Sequence, residues 1–176
     1  MEAREQFKHD ALAASLADDG KTLCAGGTGV TANAEAVGIY LAFVTSRLAD
    51  YWTTLNAWQP FGQKFSHTFG RQAIPMVWDY AEANPFSGKG GSFKNLFDWT
   101  TQSIEKLLTY PAGFASQADA ASQLISIGKI VSTDPPYYDN ICYADLSDFF
   151  YVWLRRSISH IFPNLFSTLA VPKAEE

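Results

Sequence analysis

A surplus of positive charge is missing from this chain: 13 lysines and arginines face 18 aspartates and glutamates, for a formal net charge of −5. That sign is wrong for a domain that grips a phosphate backbone by bulk electrostatics, so any contact with nucleic acid must be local or supplied from elsewhere. Cysteine is scarce as well. Cys24 and Cys142 stand far apart, without the paired spacing of a zinc site or a disulfide framework, and read as reduced thiols of a cytoplasmic protein. The three histidines, His9, His67 and His160, show no metal-ligand spacing, so no metal is expected. No apolar run reaches membrane-spanning length, because the longest, Val37 to Leu55, is interrupted by Arg47 and Asp50. The first residues lack the pattern of a secretory leader.

What the chain does have is apolar material. With 176 residues, 47% hydrophobic and 15% aromatic, it can bury one sizeable core, and disorder is excluded as its general state. Composition divides it into three parts. Residues 1–31 combine a charged, alanine-rich stretch with a glycine-rich connector, residues 32–110 carry helical patterns, and residues 111–176 hold two short strand candidates and a last helix.

Within the second part, Val37, Leu41, Val44, Leu48, Tyr51 and Leu55 recur at steps of three and four, which predicts one long amphipathic helix from Asn33. Gln59 to Gly70 reads as a loop punctuated by Pro60 and Gly62, with Lys64, His67 and Arg71 as its cationic cluster. A short helix is expected from Ala73 or Pro75 to Glu82, stopped by Asn84-Pro85. After the loop Ser87 to Ser92, the spacing of Phe93, Phe97, Thr100, Ile104 and Leu107 predicts another helix. The last one is expected from Tyr143 to about Ile161, with Leu146, Phe149, Phe150, Trp153 and Ile158 as an aromatic core stripe.

Cys24-Ala-Gly-Gly-Thr-Gly29 has the composition of a phosphate or cofactor cradle. Such a cradle needs a buried strand in front of it, and Asp18-Asp19-Gly20-Lys21 offers none, so the segment reads as a connector. Two strands are expected further on, Phe114 to Ala118 and Lys129 to Thr133, parallel and adjacent, with a short helix at 120–127 between them. Each is followed by an acid, Asp119 and Asp134, and the carboxyl ends of parallel strands are where open α/β sheets bind ligands. Asp119 also suits the cap of the intervening helix.

Asp134-Pro135-Pro136-Tyr137 is the segment richest in chemistry. Two prolines without backbone N–H groups make a stiff ledge, with a carboxylate before it and a phenol after it. Asp134 and the Pro135 carbonyl can each accept a hydrogen bond from one exocyclic amine while Tyr137 stacks on the ring that bears it. Two acceptors on one amine aim the nitrogen lone pair at an electrophile, as methyl transfer requires. The competing reading is a structural Pro-Pro turn.

Around that motif, Thr133–Arg156 (TDPPYYDNICYADLSDFFYVWLRR) closely resembles the adenine-specific DNA methylases that carry an N-terminal domain of unknown function and, in some members, a zinc ribbon. Residues 68–87 (TFGRQAIPMVWDYAEANPFS), 165–169 (LFSTL) and 172–176 (PKAEE) resemble the same proteins, so the likeness runs over nearly the whole chain. The resemblance implies methyl transfer from S-adenosylmethionine to the adenine amino nitrogen of a flipped base in DNA. It makes Asp134, Pro135, Pro136 and Tyr137 the catalytic motif and Asp119 a contact to the cofactor's adenine. Family members are several times longer, so the expected partners are DNA and the remainder of a longer parent chain. The expected fold class is α/β, a mainly helical fragment of a Rossmann-like methyltransferase with a few parallel strands. Cytosine as the accepting base and a non-catalytic helical interaction module remain the alternatives.

Overall fold

The computed structural model describes residues 19–70, 76–82, 84–107, 113, 118–135 and 143–171. Three helices account for most of the regular structure among them: α1 (Val30–Leu48), α2 (Phe93–Lys106) and α3 (Tyr143–Ile158). A 3-10 turn, Leu23–Ala25, precedes α1. Between α1 and α2 two short strands, β1 (Trp58–Gln59) and β2 (Lys64–Phe65), pair antiparallel with Trp58 opposite Phe65 and Gln59 opposite Lys64.

Alpha-1 is apolar on several faces, and it is the central element. Toward one side it packs on α3 and the segment after it, where Ala42 meets Tyr151, Ile158, Ile161 and Phe166. Toward the other, Val44 and Leu48 join Tyr51, Phe65 and Leu96 in a second cluster built from α1, the hairpin and α2. Leu96, only 1% exposed, anchors α2 to this cluster. Ser92 caps α2 by accepting the Asn95 N–H at 3.2 Å, which satisfies one of the orphan donors of the first turn. Arg47 of α1 lies over the Trp99 ring, 5.3 Å from its centroid.

The expected Rossmann-like α/β arrangement is not what the chain adopts. The described residues contain a single two-stranded antiparallel sheet, and residues 130–133 form no strand. Ile130 is fully exposed at 103% and Val131 is exposed too. A β-branched pair favours a strand only when a neighbouring strand and a covering face exist to pack on it; among the described residues no strand pairs with this segment, and both side chains are exposed. Of the companion strand at 114–118, residues 114–117 lie outside the described residues and Ala118 is not in a strand. The segment expected to be helical at 120–127 is a series of turns, and residues 76–82 are not helical either.

Candidate functional site

Asp134 and Pro135 are exposed in a segment without regular secondary structure, and no hydrogen bond to another described residue occupies the Asp134 carboxylate. Pro136 and Tyr137 lie outside the described residues. Among the described residues no sheet edge frames the carboxylate, and with no strand at 130–133 the expected pairing of two acids at neighbouring strand ends does not form.

Asp119 acts as a local cap. Its Oδ2 accepts from the Ser122 hydroxyl at 2.7 Å and its Oδ1 from the Ala121 N–H at 3.0 Å, while its carbonyl accepts from Gln123 N–H at 3.0 Å. The Ser122 hydroxyl first, and the Ala121 N–H second, hold the Asp119 carboxyl below the ordinary aspartate range, because both bonds favour the charged form. These bonds hold a turn at 119–123, where the sequence led to the expectation of a capped helix.

The glycine-rich segment is folded in on itself. Asp19 accepts the N–H groups of Thr28 at 2.9 Å and Lys21 at 3.1 Å, and these bonds, Thr28 first, depress its pKa. A Cβ on Gly27 would stand 2.5 Å from the Lys21 carbonyl oxygen, so that glycine serves close backbone packing. The N–H groups of Ala25, Gly26 and Gly27 are spent on the Thr22 and Leu23 carbonyls and that of Thr28 on Asp19, so they are not turned toward a ligand as a cradle for S-adenosylmethionine would require. Among the described residues no group of three or more His, Cys, Asp or Glu is placed to hold a metal ion. No helix of the described residues is long and apolar enough to cross a membrane.

The most densely bonded polar region lies where α1 ends, and sequence reading did not find it. Asp50, Thr53 and Asn56 follow the helix, and side chains of this kind draw the backbone away from helical bonding. Asn56, fully buried, donates to the Tyr51 carbonyl at 2.6 Å and accepts from the Ser66 hydroxyl at 2.8 Å. The His67 ring spans two partners, with Nδ1 2.5 Å from Asp50 Oδ2 and Nε2 3.2 Å from the Tyr51 hydroxyl. With Asp50 ionised, Nδ1 donates and Nε2 accepts from Tyr51. Asp50 Oδ1 also accepts the Phe69 N–H at 3.2 Å. Only His67 carried a signal in the sequence, as a ring in a polar loop; Asp50 lies 17 residues away, beyond any local spacing rule.

Beside this network is an open cleft of about 220 Å³, lined by Trp52, Thr53, Thr54, Tyr80, Ala81 and Glu82. Trp52 is fixed there by its indole N–H, which donates to the Gly91 carbonyl at 2.9 Å. Comparison of the chain with protein-family models, with curated proteins and with solved structures finds no match in any of the three.

Proposed function

We propose that this chain supplies the amine-holding segment of a cytoplasmic, S-adenosylmethionine-dependent DNA methyltransferase acting on adenine. The observation that carries the reading is the Asp134-Pro135-Pro136-Tyr137 motif with its Asp134 carboxylate exposed and uncommitted. In this reading Asp134 and the Pro135 carbonyl accept the two N–H groups of the base amine, and Tyr137 stacks on the flipped ring. In this reading the cofactor is held largely by other parts of a longer parent chain.

The test is Asp134→Ala in that longer protein. Methyl transfer to DNA is expected to fall by at least about a hundredfold, with cofactor affinity changed far less. Near-normal methylation by a folded Asp134→Ala variant would reduce the motif to a turn. The second reading, a non-catalytic helical interaction module, is favoured by the absence of a strand at 130–133 and by the exposure of Phe61, Trp78 and Phe86.

A further inference from the structure

We infer that the cleft between Trp52 and Tyr80 binds a flat heteroaromatic ring carrying an exocyclic amine, of the aminopurine kind. This inference stands on the cleft and not on the methyl-transfer reading. Its volume, about 220 Å³, lies below the roughly 300–1,000 Å³ of pockets for drug-sized ligands, which suits one ring system rather than a whole dinucleotide or S-adenosylmethionine.

Two aromatic side chains offer stacking faces: Trp52 is 42% exposed and Tyr80 54% exposed. Trp52 is held in orientation by its bond to Gly91, so its face is presented without further ordering. The polar groups divide into one acceptor and one donor. The exposed Glu82 carboxylate is not taken up by any described residue and can accept from an amine. Thr68 gives its only hydroxyl proton to the Asp50 carbonyl, so in the 2.8 Å Thr53–Thr68 pair Thr53 is the donor, and its proton is spent. Thr54, exposed and without a described partner, is left to donate to a ring nitrogen. A methylated ammonium would also suit aromatic faces and a carboxylate, but it has no acceptor for Thr54. The acidic chain and the carboxylate in the cleft disfavour phosphorylated ligands, which leaves a base or nucleoside.

The experiment is calorimetric titration of the 176-residue chain with adenosine and with the purine nucleoside that lacks the 6-amino group. Adenosine is expected to bind about fivefold or more tightly than the amine-free nucleoside, and Tyr80→Ala to weaken both by about fivefold or more. Glu82→Gln is expected to weaken adenosine while leaving the amine-free nucleoside unchanged, a pattern that general loosening of the fold would not give. Tyr80 and Glu82 line the cleft and have no part in the methyl-transfer reading, so losses in these two variants are separate from the fate of that reading. Equal affinity for the two nucleosides, absence of saturable adenosine binding, displacement of adenosine by tetramethylammonium, or adenosine binding unaffected by Tyr80→Ala would each overturn the inference.

Discussion

Asp50 holds His67 through one carboxylate oxygen, at 2.5 Å from Nδ1, and keeps its other oxygen for the Phe69 N–H at 3.2 Å. The two residues are therefore unequal members of the pair. His67 is more than half exposed, whereas the Asp50 side chain is largely covered. Asp50→Ala is expected to destabilise the chain by about 1–3 kcal/mol, since it orphans a backbone donor as well as the ring. His67→Ala removes one solvent-screened contact and is expected to lower stability by about 1 kcal/mol or less. Urea unfolding of the two variants checks the order.

Gly91 provides a sharper backbone test. Its φ is +85°, and a Cβ there would lie 2.8 Å from Tyr51 Cδ1 and 3.2 Å from Phe65 Cβ. Gly91→Ala is expected to lower stability by at least about 1–2 kcal/mol from the left-handed backbone alone. Because the Gly91 carbonyl receives the Trp52 indole N–H, the same variant is expected to shift the Trp52 indole proton resonance.

Acid acts on two exposed turns. Asp119 and Asp19 both have pKa values lowered on folding, so each contributes stability that is fully present above the ordinary aspartate value, about 4, and lost as pH falls through the lower folded value. Below that window the amides of Ala121, Thr28 and Lys21 are expected to lose their carboxylate partners, which proton–nitrogen spectra recorded against pH will show as coupled shifts.

The three long helices were legible in the sequence, because apolar spacing of three and four over four or five turns is a strong local signal. Their inner faces were less so. Val37 and Leu41 belong to the stripe that predicted α1 yet are exposed, whereas its Val44 and Leu48 are buried together with Ala42, which lies outside it. The helix is apolar on several sides, and only its neighbours decide which side is covered. The predicted helix also ran on to Leu55, although α1 ends at Leu48; the side chains of Asp50, Thr53 and Asn56 turn the chain there. Hairpin strands of two residues are too short to carry an alternating pattern, so Gln59 to Gly70 read as loop. At Ile130-Val131 the error ran the other way, since strand propensity was read where none of the described residues forms a strand alongside. Of the site residues, Asp119 was legible as an acceptor for the N–H groups that follow it, though in a turn and not in the expected helix, whereas the cleft joins Trp52 to Tyr80 across the hairpin and no local spacing announces it.

The contacts that lock the end of α1 to the hairpin differ in reach from those that seat α3. Asn56 and Ser66 are 10 residues apart and Asp50 and His67 are 17 apart, but the Cys24 thiol reaches the Ile161 carbonyl across 137. A loop about eightfold longer is three doublings, or roughly 2 kcal/mol more closure entropy. The hairpin neck is therefore expected to assemble before the seam between α1 and α3, as a seed whose formation sets the folding rate. Under that order Asn56→Ala slows refolding, whereas Ile158→Val mainly hastens unfolding, and stopped-flow measurements in denaturant separate the two.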